Sequence, residues 1–415
     1  MNKFQKEANM KDEKGLGKKI WFFPLFVGLL LALCGTAFSQ PSYKVGYLNS
    51  HSGFMAFMGT EWRDGLLLGV DEINGAGGIN GRKLDVVVYD DESDVAKGVL
   101  AFKKLIETDK VLMTLGINHS GVAVACAQIA EQSKVPYLAP GSTRWIVAKP
   151  GKWQLPADPT EVFDYVIKFR VDAQPHLETM YTFAKKHGVK KFAWISAGTA
   201  FGRGAREIME ATYKLAGLEL SGAEEYGPND SVMTSQLTRI KSRDFDAIIL
   251  YSAEPAGALV YKQARELGIT KPIIADAPLV TTSILKTVGQ YLEGLYVCVH
   301  IPDVPDLNIL PKNLQPMAPV VNKVRKGITE RYKHPADWIN AYGYDGAMVM
   351  ADTLRRAAPD PTKLEDARAK IRQALVSVKG FVGAYAMGDV TPTHELRVPV
   401  VMIRLGEGLK FQIAE

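Results

Sequence analysis

Cysteine is scarce in this sequence, with three in 415 residues. That number excludes a disulfide-stapled scaffold and a four-cysteine zinc centre. A strong excess of one charge is also missing. Lys+Arg total 50 and Asp+Glu 45, and six lysines against three acids fall within the first 39 residues. The rest of the chain is nearly balanced, at 44 against 42, which argues against a nucleic-acid partner. No apolar run reaches the roughly 18 residues that a membrane-spanning helix needs. HExxH, CxxC and GxSxG do not occur, so the motifs of metalloproteases, thioredoxin-like proteins and serine hydrolases are missing. What is present is ordinary globular composition, 47% hydrophobic and 23% charged. At this length it implies two or three domains, or two large lobes.

The first residues read as an address label. Lys14, Lys18 and Lys19 precede an uncharged apolar run from Ile20 to Leu33, followed by small residues through Ser39. A basic region, a short apolar core and a small-residue exit describe a secretory signal peptide, with cleavage expected after Ser39. A retained N-terminal anchor is the alternative. Leu31-Ala32-Leu33-Cys34 is a poorer match to a lipoprotein site, because bulky Leu33 stands where a small residue is expected. The mature chain keeps Cys126 and Cys298, read as buried free thiols.

From Tyr43 onward strand and helix patterns alternate. Tyr43–Leu48 reads as a strand, and Trp62, Leu66, Leu67, Val70 and Ile73 recur at helical spacing before Gly75, Gly77 and Gly78 stop the helix. The alternation continues through residue 138 and resumes near residue 175. A Pro-rich stretch from Pro302 to Pro319 predicts a loop. Helices follow over 320–332, 339–357 and 364–376, and strand character returns at 396–405. Such alternation predicts parallel sheets flanked by helices, an α/β architecture of two doubly wound lobes. In such sheets ligands sit beyond the carboxyl ends of strands, at helix N-termini. Four strand exits qualify: 49–59, 116–121, 140–145 and 252–256.

Catalytic and metal readings are weak. The run Gly75–Gly81 follows a helix and precedes a strand, the reverse of a phosphate cradle. The stretch Gly198–Gly204 opens a helix but lacks the GxGxxG pattern and the Walker lysine. Asp90, Asp91, Glu92 and Asp94 lack the glycine and glutamate of a calcium loop, where the chain has Val95 and Ala101, and read as a solvated loop. His119–Ser120 lacks the third partner of a triad. No enzyme activity and no cofactor are expected.

The stretch Tyr43–Met113 carries a family likeness. It includes Ser52-Gly53 and Gly59 after a strand, Asp71-Glu72-Ile73-Asn74 with Gly77-Gly78-Ile79-Asn80-Gly81-Arg82, and Asp90-Asp91. This order and spacing resembles the leucine/isoleucine/valine-type solute-binding proteins of ABC importers. The likeness continues through Gly116–Ser120, Pro140–Thr143, Phe201–Gly204, Gln263–Gly268 and Tyr342–Gly346, covering nearly the whole mature chain. It implies the type I periplasmic binding protein fold, with two lobes joined by three hinge crossings. The crossings fall near 169–172, 299–302 and 379–383. Residues 42–169 with 302–379 then form one lobe, and 170–301 with 380–415 the other.

The same resemblance implies site residues. Ser120, Gly141 and Thr143, with Ser142 between them, fall where the family holds a ligand carboxylate. N-capping is the other reading of Ser120 and Ser142. Met58 and Phe201 fall where the family often has aromatics; they would line a side-chain pocket or belong to the core. The family's acid for the ligand ammonium falls at Ala277 here, so Glu254 or Asp276 would substitute. Trp145 and Arg144 are further ligand contacts or surface-loop residues. The implied function is a monomeric periplasmic component binding an amino acid or a related carboxylate or amide, read in its closed form by a membrane permease. A sensor subunit reporting ligand to a membrane receptor is the alternative.

Overall fold

Val45, Tyr47 and Leu48 are inaccessible to solvent in the first strand, as a run of β-branched, aromatic and aliphatic residues demands of a strand covered on both faces. The structure, a computed structural model, describes residues 40–141, 143–152, 158–170 and 173–414. The signal-peptide expectation, Ser142 and the far end of the first hinge crossing lie outside the described residues.

In chain order the strands are β1 Tyr43–Asn49, β2 Leu84–Asp90, β3 Thr114–Gly116, β4 Tyr137–Ala139, β5 Val166–Lys168, β6 Lys191–Ala197 and β7 Glu219–Tyr226. They continue as β8 Ala247–Tyr251, β9 Ile273–Asp276, β10 Tyr296–His300, β11 Phe381–Val382, β12 Met387–Gly388, β13 Val400–Leu405 and β14 Phe411–Ile413. The helices are α1 Ala56–Gly75, α2 Val95–Glu107, α3 Ser120–Gln132, α4 Gln174–Lys186, α5 Ala200–Thr212 and α6 Thr234–Lys241. They end with α7 Ala256–Glu266, α8 Thr282–Val288, α9 Ala318–Tyr332, α10 Trp338–Ala357 and α11 Leu364–Val376.

Among the described residues, two large sheets form, in the orders β2-β1-β3-β4-β5 and β14-β13-β10-β9-β8-β6-β7. The first is parallel throughout, with Gly46 opposite Thr114 and Tyr137 opposite Val166. The second is parallel from β7 to β10, and β13 and β14 join it antiparallel. Each parallel half has a switch point where chain order reverses, so strand ends there splay apart and leave a crevice.

The C-terminal helices return to the first sheet. Helices α1 and α10 cross so closely that a Cβ on Gly65 would stand 1.9 Å from the Asn340 carbonyl oxygen, and one on Gly343 would stand 2.0 Å from that of Trp62. Only glycine fits these two positions, and the crossing brings Trp62 and Tyr342 together at 5.2 Å. Asp337 and Asn340 form a capping box that starts α10 at Trp338, fixing the end of the helix that reaches the cleft.

The segment after α11 also stays with the first sheet. Lys168 N–H donates to the His394 carbonyl and Leu396 N–H to the Lys168 carbonyl, while buried Asp345 accepts the backbone N–H groups of Ala384, Tyr385 and Ala386. The chain joins the second sheet only at β13, later than the crossing expected at 379–383. Cys126 and Cys298 are buried free thiols.

Candidate functional site

Loops from both sheets line one cavity, whose empty space of about 600 Å³ includes open solvent. Ser120, Gly141 and Met58 line it from the first sheet's side, and Phe201 and Glu254 from the second. Five of the eight residues expected at the ligand therefore share one cavity. Ser142 lies outside the described residues. Thr143 does not line the cavity. Its buried hydroxyl faces α5, where a Cβ on Gly204 would come within 2.4 Å of it.

Asp276 is placed differently from expectation. It is fully buried but does not line the cavity. Its Oδ1 accepts from His176 Nδ1 at 2.6 Å, and its Oδ2 lies 3.6 Å from Arg170 Nη2. Burial pushes its carboxyl up, but His176 and then Arg170 outweigh that and hold it below the usual carboxylate range. Its charge is committed to these two partners. Trp145 likewise points elsewhere, its Nε1 donating to Glu207 at 2.9 Å. The acids at 90–94 form no simple solvated loop. Asp91 is buried and accepts from Ser50 Oγ at 2.6 Å, and Asp90 accepts from His51 and Ser52, so they brace the β1 exit.

The remaining lining supplies the aromatic and polar character. Trp62, Trp338 and Tyr342 form one wall with Met55 and Ile339, and Asn118, His119 and Arg170 face the same space. Arg170 follows β5, a strand exit that a three-residue strand hid from pattern reading. Trp62 reads as ordinary helical core and Trp338 falls just before the helix expected at 339, because only the crossing of α1 and α10 turns them toward a cleft. A strand-exit rule applied to Val166–Lys168 would have found Arg170.

Several of these groups are buried with no hydrogen-bond partner: Trp62 Nε1, Trp338 Nε1, both side-chain polar atoms of Asn118, His119 Nδ1, Ser120 Oγ, and Arg170 Nε and Nη2. Ser120 is the first residue of α3, which begins after His119 without a side-chain cap. Its hydroxyl is therefore not spent on capping. Glu254 differs: its Oε1 accepts from Thr199 at 3.0 Å, and its Oε2 from Ser252 Oγ at 3.1 Å and Ala253 N at 2.9 Å. Burial pushes its carboxyl up, against the lowering effect of these bonds. Burial also opposes the charge of Arg170, yet Tyr385 and Asp276 hold its pKa above the usual arginine value, so it stays a cation.

Four helices begin at this cavity: α3 at Ser120, α5 at Ala200, α7 just after Glu254 and α10 at Trp338. Their N-terminal N–H groups and dipoles favour negative charge. A cavity with apolar walls and convergent donors is built to hold a small molecule.

A family model described as periplasmic binding protein matches residues 42–408. The chain belongs to the periplasmic binding proteins. A Leu/Ile/Val-binding protein homolog from Brucella suis biovar 1 is 30% identical over 375 residues, covering 88% of each chain. The branched-chain amino acid type implied by the sequence resemblance is thus the right branch. Among solved structures, a branched-chain amino acid transporter substrate binding protein from Streptococcus pneumoniae, in complex with isoleucine, matches with a TM-score of 0.73. It is 22% identical, over 90% of this chain and 98% of that one. An ABC-transporter solute binding protein from R. palustris, in complex with benzoate, also has a TM-score of 0.73. It is 20% identical, over 90% of this chain and 95% of that one. This periplasmic binding protein has the type I fold, and its family is one of non-enzymatic, periplasmic binders. Among the described residues no helix is long and apolar enough to cross a membrane.

Proposed function

We propose that this periplasmic binding protein captures a small organic carboxylate between its two lobes and hands it to the membrane permease of an ABC importer. One lobe is built on the first sheet with α9–α11 and the segment through Leu396. The other is built on the second sheet. The observation that carries this reading is the set of unpartnered donors on Asn118, Ser120 and Arg170 converging on one cavity between the sheets. Buried donors left unpaired cost free energy, and an anion entering the cavity relieves that cost. Relatives that bind isoleucine in one case and benzoate in another share the carboxylate and differ in the amino group.

A thermal-shift panel of amino acids, their des-amino analogues and neutral amides tests the reading. A carboxylate at 100 times its dissociation constant is expected to add about 2.7 kcal/mol and raise Tm by several degrees. A panel in which neutral amides stabilise as well as carboxylates would remove the anion site.

A further inference from the structure

The cavity's donors and acceptors are unequal in number, and the imbalance restricts what can fill it. Unpartnered donors come from Trp62, Trp338, Asn118, Ser120 and Arg170. Arg170 contributes two nitrogens, because Asp276 at 3.6 Å is near enough to share charge but too far for a hydrogen bond. The guanidinium also sits 5.6 Å from the Trp338 ring centre, which fixes it by a cation–π contact. Both residues are almost wholly buried, at 4% and 0% exposure.

Acceptors are few. Glu254 is the one acid lining the cavity among the described residues, and three protein donors already share its two oxygens. Asp276 does not line the cavity, and its Oδ1 is taken by His176. A ligand ammonium entering here would add donors to a surplus of donors and meet the Arg170 charge in the same cavity. That arrangement is unfavourable where water is excluded. The walls have their own preference. Trp62, Trp338, Tyr342 and Phe201 present ring surface, and flat apolar walls of this kind favour a ring over a branched aliphatic chain.

Resting on the interlobe-clamp reading, we propose that the ligand is an aromatic monocarboxylate without an α-ammonium group, and that Arg170 is a binding residue for it. The class runs from benzoate to short aryl-alkanoates.

Calorimetric titration of the purified full chain with matched probes tests this. 3-Phenylpropionate against L-phenylalanine isolates the ammonium, benzoate against benzamide the charge, and 3-phenylpropionate against 4-methylpentanoate the ring. The first member of each pair is expected to bind at least about tenfold more tightly, a difference of about 1.4 kcal/mol. Arg170→Met is expected to lose at least that factor and Arg170→Lys to recover part of it. Trp338→Phe, which removes one N–H and keeps the ring, is expected to weaken binding while leaving the ring preference. Where Arg170→Met fails to fold, Arg170→Lys and Trp338→Phe carry the test.

L-Phenylalanine or L-leucine binding more tightly than its des-amino analogue, in a Ser120-dependent way, overturns this inference and leaves the clamp reading intact. Tighter binding of 4-methylpentanoate overturns the aromatic assignment, and no binding by any aromatic carboxylate overturns the inference as a whole. Binding of 3-phenylpropionate unaffected by Arg170→Lys, Trp338→Phe and Ser120→Ala overturns the inference and the cavity reading together.

Discussion

Ser120 joins the two arguments made for this site. The family resemblance selected it by position, and its buried, unpartnered hydroxyl at the first turn of α3 gives a physical reason independent of family. Ser120→Ala is expected to weaken carboxylate binding by about 1–3 kcal/mol, the usual worth of a hydrogen bond to a charged group. Calorimetry reads this directly, and an unchanged affinity would mean that the hydroxyl faces no ligand atom. Met58, Gly141 and Phe201 were legible in the same way, because each follows a strand at a family position, whereas Glu254 was legible only as a substitute for the family acid that falls at Ala277. Arg170 and Asp276 were not. Their pairing across 106 positions of sequence, with His176 on the other oxygen of Asp276, has no local pattern. An isolated acid after a strand looks available until its partners are known.

At the scale of elements, α1, α8 and α10 carry a second contact between the lobes, outside the cavity. Ser283 Oγ of α8 donates to Glu61 of α1, and Thr282 N–H donates to Asp337, the N-cap of α10, at 2.8 Å. Glu61 lies beside Asp337, and burial followed by that neighbouring charge pushes its carboxyl up to about 9. The folded chain then holds a proton on Glu61 that the unfolded chain releases near 4.5. Stability from this group is fully present below the unfolded value and is lost as pH rises toward about 9. Tm is therefore expected to fall across that range, and Glu61→Gln is expected to flatten the decline. An identical pH profile in Glu61→Gln would show that the proton sits elsewhere. Long periodic helices such as α1, α10 and α11 were readable from spacing alone. The strand β5 has only three residues, and β7, an edge strand with sequence ELSGAEEY, is polar and half-exposed. Neither carries the apolar run or alternation that marks a strand, and both escaped the pattern.

For the whole molecule, order of elements was legible and geometry was not. Strand–helix alternation gives two doubly wound sheets, but the path of residues 381–396 along β5 depends on Asp345 gathering three backbone N–H groups. No sequence period announces such a contact, and the chain joins the second sheet later than the crossing that the resemblance implies at 379–383. Under the proposed function the lobes close around the ligand, which then pairs the donors of Asn118, Ser120 and Arg170 on the first sheet's side. Small-angle X-ray scattering with and without saturating 3-phenylpropionate tests it most directly. The account predicts a smaller radius of gyration with ligand, and a reduced change in Arg170→Lys at the same concentration. An unchanged radius at a concentration where calorimetry shows full occupancy would contradict closure around the ligand.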